Sequence, residues 1–275
     1  MNIQWQALFL VIITLVSLMV TRIAQGPGER SINRNVTAYT RPVVSVQGAS
    51  LVATGLESKE IPSRKWDVLD PTISARAALV ELLPEKIPLY HLTTSLEWPL
   101  ASLTKFMAAT VLLEGGARNK KIEITENALQ TEGKAGGFIS GEIYSGEDLM
   151  KIMLLTSSND AAAAFEESNG GRAALVKLLN ERAQALGMTN TSFFDASGLS
   201  EKNIGTASDM LRAMTYITEN YPEIMSWTRL QTILVQPINT TRSITVRNIN
   251  AFAADTDFLG GKTGTSPEAR ENLVA

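Results

Sequence analysis

Hydrophobic and polar positions fall into several rhythms along this chain. From Ala7 to Val20 the run ALFLVIITLVSLMV is apolar apart from Thr14 and Ser17, and with its flanks Trp5 to Thr21 it approaches the length of a membrane-spanning helix. MNIQWQ before it carries no side-chain charge, and Thr21-Arg22-Ile23-Ala24 is a poor cleavage site, so residues 1–25 are expected to form an uncleaved signal anchor. Arg22, Arg30 and Arg34 follow the run, and the positive-inside rule would keep such residues cytoplasmic, against an outward-facing domain. Residues 26–72 show short mixed stretches with several Gly, Pro and Ser and no sustained period, which predicts a stalk. Two strand-like runs come next, ISARAALVELL and KIPLYHLTT, separated by Pro84-Glu85 and able to form a hairpin. Helical periods follow in ASLTKFMAATVLLE, GEDLMKIMLLTSSNDAAAAFEES and RAALVKLLNERAQALG, each closed by Gly or Asn-Gly. LQTILVQ and RSITVRN return to strand-like runs. Strand, helices, strand is the order of an α/β domain, a sheet layer with an inserted helical lobe.

Composition narrows the chemistry. With 275 residues the chain can bury a sizeable core without staples. It has no cysteine, which excludes disulfides, thiolate metal sites and a cysteine nucleophile. A net charge of −3 without a basic patch argues against a nucleic-acid partner. The single histidine, His91, reads as a strand residue, so metal sites and Ser-His-Asp chemistry lose their usual ligand and base. Nucleophilic chemistry here needs another base.

Three short elements could supply it. Pro99 ends an extended segment, and Ala101-Ser102-Leu103-Thr104-Lys105 opens a helix in which Ser102 and Lys105, three positions apart, share a face. A serine at a helix start has a free N–H that could stabilise an oxyanion. A lysine could act as its base if burial or a second cation depressed its pKa. Ser-x-x-Lys alone arises about once by chance in a chain of this length, and an N-cap serine beside a solvated lysine is the plain alternative. In LLTSSNDAAAAF the polar cluster Thr156 to Asp160 interrupts a run suited to burial; Ser157 and Asn159 form an S-x-N element, though Ser31 and Asn33 do too, and capping serines at a helix break would also account for it. The third element is FLGGKTGTSPEAR. A phosphate loop would need glycine where Thr256 stands, so Lys262-Thr263-Gly264 is read as a strand with Lys262 and Gly264 facing one way and Thr263 the other. Gly264 would let a substrate backbone approach.

With the three elements in this order, the chain resembles the serine D-alanyl-D-alanine carboxypeptidases, the low-molecular-mass penicillin-binding proteins. ASLTKFMAA, GEDLMKIMLLTSSNDAAAAFEE, LLNERAQALGMTNTSFFDASGL, GTASDM and GGKTGTSPEA carry the resemblance, in family order, over residues 73–275. It implies an α/β domain of the penicillin-binding protein/β-lactamase-like type, an antiparallel sheet with a helical lobe, preceded by one transmembrane helix. It implies Ser102 as acylated nucleophile, Lys105 as general base and Ser157 as proton relay, with Asn159 holding the substrate amide. Lys262 would sit beside Ser157 and help keep Lys105 neutral, Thr263 and Thr265 would bind the terminal carboxylate next to Gly264, and the N–H groups of Ser102 and Thr265 would form the oxyanion hole. The implied substrate is a peptidoglycan stem peptide ending in D-Ala-D-Ala, with β-lactams as covalent inhibitors and no metal or cofactor. The implied location is the bacterial cell membrane, spanned once, with the catalytic domain on the extracytoplasmic side. A DD-endopeptidase, a β-lactamase of the same fold and a non-catalytic wall-binding homologue are the alternatives. Glu166-Glu167-Ser168-Asn169 follows S-x-N too closely for the deacylating glutamate of a β-lactamase, so Glu166 and Glu167 are read as a solvated helix end. The chain departs from the family at Ser266, usually threonine, and at Arg270, usually glycine. The family fold continues beyond the strand that begins at Asn272 with another strand and a helix, so the chain is expected to be a C-terminally incomplete domain.

Overall fold

The computed structural model describes residues 62–83 and 85–275. The anchor expected over residues 1–25, and all but the end of the stalk, lie outside those residues. Among the described residues no helix is long and apolar enough to cross a membrane. Contacts divide the chain into residues 1–69 and a compact unit over residues 70–275, and the second unit holds the elements that follow.

The hairpin expected on either side of Pro84-Glu85 forms from β1 (Ala78–Leu82) and β2 (Ile87–Leu92), with an irregularity between Val80 and Glu81. His91 lies on β2 opposite Leu79 and is exposed. After β3 (Trp98–Pro99), a 3-10 turn over Ala101–Leu103 runs straight into α1 (Thr104–Glu114). Every α1 residue from Thr104 to Leu112 is buried. A helix with no solvent face belongs at the centre of a lobe, and α1 is that centre.

The short strands β4 (Lys121–Glu123) and β5 (Ile143–Ser145) pair before α2 (Gly146–Thr156). Ser145 caps α2 by accepting the Asp148 N–H at 3.1 Å, and Glu147 and Asp148 place negative charge in its first turn. The long helical period read over 146–168 breaks in two. Ser157 adopts a left-handed conformation (φ 58°), and Ser158 then caps α3 (Asn159–Ser168) through the Ala161 N–H. α4 (Arg172–Ala185) completes the lobe, with Leu175 and Leu179 buried alongside Phe106, Leu149, Met153 and Phe165.

Beyond β6 (Ile204–Gly205) come two helices that the periodicity argument passed over, α5 (Ala207–Asn220) and α6 (Pro222–Arg229). Their start signals are ordinary: Thr206 accepts the Asp209 N–H at 3.0 Å, and Pro222 opens α6. The two later strand-like runs form β7 (Thr232–Val235) and β8 (Ile244–Arg247), and the last elements are β9 (Lys262–Ser266) and β10 (Arg270–Val274).

One continuous sheet was expected. Among the described residues the strands instead pair as separate two-stranded antiparallel ladders, β1–β2, β3–β6, β4–β5, β7–β8 and β9–β10. The separation has a physical counterpart in a cleft of about 1470 Å³ lined by β1, β10, Trp98 and the Met210 and Met214 side of α5. β9 lies instead against the 3-10 turn, where a Cβ on Gly264 would come within 2.9 Å of the Leu100 carbonyl oxygen and 3.1 Å of the Ser102 nitrogen. Only glycine allows that approach.

Candidate active site

The 3-10 turn and α1 carry the first pair. Ser102 is half-buried at the head of the helix, where its N–H has no helical carbonyl to bond. Ala101 before it has φ 47°, uncommon for a residue with a side chain. One turn on, Lys105 is completely buried, with Nζ 3.1 Å from Ser102 Oγ. The same Nζ donates to Asn159 Oδ1 at 2.7 Å and to the Ser197 carbonyl at 2.5 Å.

Those partners bear on what Lys105 could do. Two of the three are carbonyl oxygens, which only accept, whereas a hydroxyl can also donate. With the amine neutral, the carbonyls take its two N–H bonds and the lone pair is left facing the Ser102 hydroxyl. Burial holds the Lys105 pKa well below its ordinary value, the Lys262 charge lowers it further, and Asp195 acts in the opposite direction.

Lys262 enters from β9. It is 2% exposed, and its Nζ donates to Ser157 Oγ at 2.9 Å and to the Thr263 carbonyl at 2.7 Å. Burial lowers its pKa to about 7. The left-handed Ser157, between α2 and α3, turns its hydroxyl to this second lysine, while Asn159 two residues later serves the first. Asn159 Nδ2 donates in turn to the Glu132 carbonyl at 2.8 Å. On β9, Lys262 and Gly264 are buried, Thr263 is half-buried and Thr265 is exposed, the alternation read from the strand pattern. Ser102, Lys105, Ser157, Asn159 and Lys262 thus meet as two hydrogen-bonded sets coupled by charge, with the outer edge of β9 alongside.

The loop from Asp195 to Asn203 also belongs to the site, and sequence reasoning missed it. Its main chain supplies the Ser197 carbonyl to Lys105. DASGLS has the small residues and leading Asp of a tight Asx turn, a signal that was available. Glu166 needs correction: it is buried rather than solvated, accepting the Ala196 N–H at 2.9 Å and the Arg172 Nε–H at 2.9 Å. Buried carboxylates need such donors; Arg172 lies six residues on, and Ala196 thirty. Glu167 is half-buried and accepts the Thr125 hydroxyl at 2.7 Å.

Residues 65–275 match the sequence profile of the family described as D-alanyl-D-alanine carboxypeptidase. A D-alanyl-D-alanine endopeptidase of Pseudomonas aeruginosa is 29% identical over 230 residues, 81% of this chain and 73% of that protein. Another D-alanyl-D-alanine endopeptidase, from Haemophilus influenzae, is 33% identical over 189 residues, 67% of this chain and 63% of that protein. Among solved structures, a D-alanyl-D-alanine carboxypeptidase from Mycobacterium tuberculosis H37Rv superposes with a TM-score of 0.70 at 25% identity, covering 76% of this chain and 79% of that one.

Proposed function

The chain belongs to the D-alanyl-D-alanine carboxypeptidase family, with the α/β fold of penicillin-binding proteins and β-lactamases, and from that membership we propose a serine DD-peptidase that works through an acyl-enzyme. The observation that carries the proposal is the buried Lys105 amine, its pKa depressed, 3.1 Å from Ser102 Oγ. In this reading Lys105 takes the Ser102 proton while Oγ attacks the carbonyl carbon of the penultimate D-alanine. The N–H groups of Ser102 and Thr265 stabilise the oxyanion. The C–N bond then breaks, and the proton that Lys105 took passes to the leaving amine by way of Ser157, beside Lys262, which returns Lys105 to its neutral form for deacylation. Thr263 and Thr265 hold the terminal carboxylate, and water later cleaves the Ser102 ester. The apolar run Ala7–Val20 would keep the enzyme at the outer face of a bacterial membrane.

The family description favours a carboxypeptidase, which releases terminal D-alanine from stem peptides in wall remodelling. The two relatives named endopeptidases favour a second reading, in which the same residues cut cross-links. Incubating the full chain in detergent with a pentapeptide muropeptide and, separately, with a cross-linked dimer separates the two. Free D-alanine from the pentapeptide supports the first reading, and dimer splitting without it supports the second. Turnover of neither substrate by a penicillin-reactive chain would contradict both.

A further inference from the structure

Asp195 is buried, and an unusual number of donors converge on it. Its Oδ1 accepts the Ser197 N–H at 2.9 Å, the Ser197 hydroxyl at 3.0 Å, the Gly198 N–H at 2.5 Å and Asn203 Nδ2 at 3.1 Å, and its Oδ2 accepts the Ser200 N–H at 2.7 Å. A carboxylate has about four lone-pair sites, so this one is saturated by its own loop. The loop is then fastened to the nucleophile's turn. Asn203 donates to Thr104 Oγ1 at 3.2 Å, and its carbonyl accepts the Leu100 N–H at 2.7 Å. Gly198, at φ 85°, packs so closely that a Cβ there would lie 1.9 Å from the Ala101 carbonyl oxygen. From the other side, Glu166 holds the Ala196 N–H.

We propose that Asp195 is a positioning residue for acylation: by gathering residues 197–200 around its carboxylate, it sets the Ser197 carbonyl against Lys105 Nζ and so aims the amine at Ser102. The alternative role, a turn staple far from the chemistry, does not fit a loop whose Ser197 carbonyl ends 2.5 Å from that Nζ. The proposal rests on Lys105 acting as the base. Asp195 also acts through its charge, which favours the protonated amine and opposes Lys262. These are the two charged groups that act on Lys105 from the packed elements. Asp160 of α3 turns its Oδ2 to the Ala135 N–H, and Glu166 is engaged by Arg172.

The test is the rate of Ser102 acylation by benzylpenicillin from pH 5 to 10, on the full chain in detergent. Acylation needs neutral Lys105, so the rate rises with pH through the pKa of that amine. Asp195→Asn removes the charge and the Ser200 bond, because an amide N–H would face the Ser200 N–H. The expected result is a plateau lower by about tenfold and an acid limb displaced to lower pH by about one unit. Asp195→Glu keeps the charge but misplaces the loop, so its plateau falls and its acid limb stays. General loosening of the fold would scale the plateau without moving the limb. A folded Asp195→Asn variant whose plateau matches the parent's, or whose acid limb coincides with the parent's, overturns the proposal. Should that variant fail to fold, Ser197→Ala removes one donor and leaves the charge; its plateau is expected to fall about threefold, and a parental plateau overturns the proposal. A parent chain that takes up no penicillin overturns the reading of Lys105 as well, whereas failure confined to the variants overturns Asp195 alone.

Discussion

The helical lobe and the strand side of the same domain differ in how deeply their apolar residues are buried. Leu149, Met150, Ile152 and Phe165 are wholly buried around α1, whereas Leu273 on β10 is 47% exposed at the cleft. Ser102, Lys105, Ser157 and Asn159 all stand on the helical lobe, and the strand side contributes Lys262, Gly264 and the edge of β9. In the proposed mechanism a nucleophile and its base must keep their separation to within a fraction of an ångström, and tight packing provides that. A strand that brings a charge and a main-chain edge needs less. The β9–β10 hairpin is nonetheless pinned to β3, just before the nucleophile's turn: Asn272 Nδ2 on β10 donates to the Pro99 carbonyl at 2.8 Å, and Trp98 Nε1 donates to the Ala269 carbonyl at 2.8 Å.

The largest way to sharpen this comparison is Lys105→Met. Removing the proposed base should slow penicillin acylation about a thousandfold, while thermal melting should show only a modest loss, because an apolar chain of similar length fills the space but leaves the Asn159 and Ser197 oxygens without that donor. A large loss of stability would mean that Lys105 holds the lobe together rather than serving the chemistry. Next comes a matched pair in urea titrations. Leu149→Ala should cost about 2–5 kcal/mol, and the half-exposed Leu273→Ala no more than about 1 kcal/mol. Equal costs would break the contrast between the lobe and the strand side. The smallest effect is expected at Arg270, which has φ 60° at the start of β10, just after the turn, a conformation that costs a residue with a Cβ. Arg270→Gly should stabilise the domain by about 0.5–1 kcal/mol, read as a shift in the urea midpoint, and a destabilised variant would contradict that origin.

What was legible in the sequence follows from distance along the chain. Ser102 and Lys105 are three positions apart at one helix start, and Ser157 and Asn159 flank one helix break, so local geometry already places them together. Lys262 and Gly264 were legible as one face of a strand, and the hairpin around Pro84-Glu85 as two apolar runs with a turn signal. The fragmentation of the sheet was not, because alternation reveals a strand and says nothing of its neighbour. α5 was missed although its apolar residues recur at helical spacing, in Met210, Ala213, Met214 and Ile217. Glu166 was misread because its partner, the Ala196 N–H, lies 30 residues away, and a charge near a helix end looks solvated until that partner is known. Asp195 was illegible for a related reason: it acts through the Ser197 carbonyl, and no side-chain pattern encodes which carbonyl a lysine will meet.

The central claim, that Ser102 is a nucleophile activated by the buried Lys105, is tested most directly by intact mass after benzylpenicillin treatment of the full chain and its Ser102→Ala variant. The account predicts one penicilloyl group on the parent, lost slowly, and none on the variant. A folded parent that stays unmodified, or a variant labelled as fully as the parent, would contradict it.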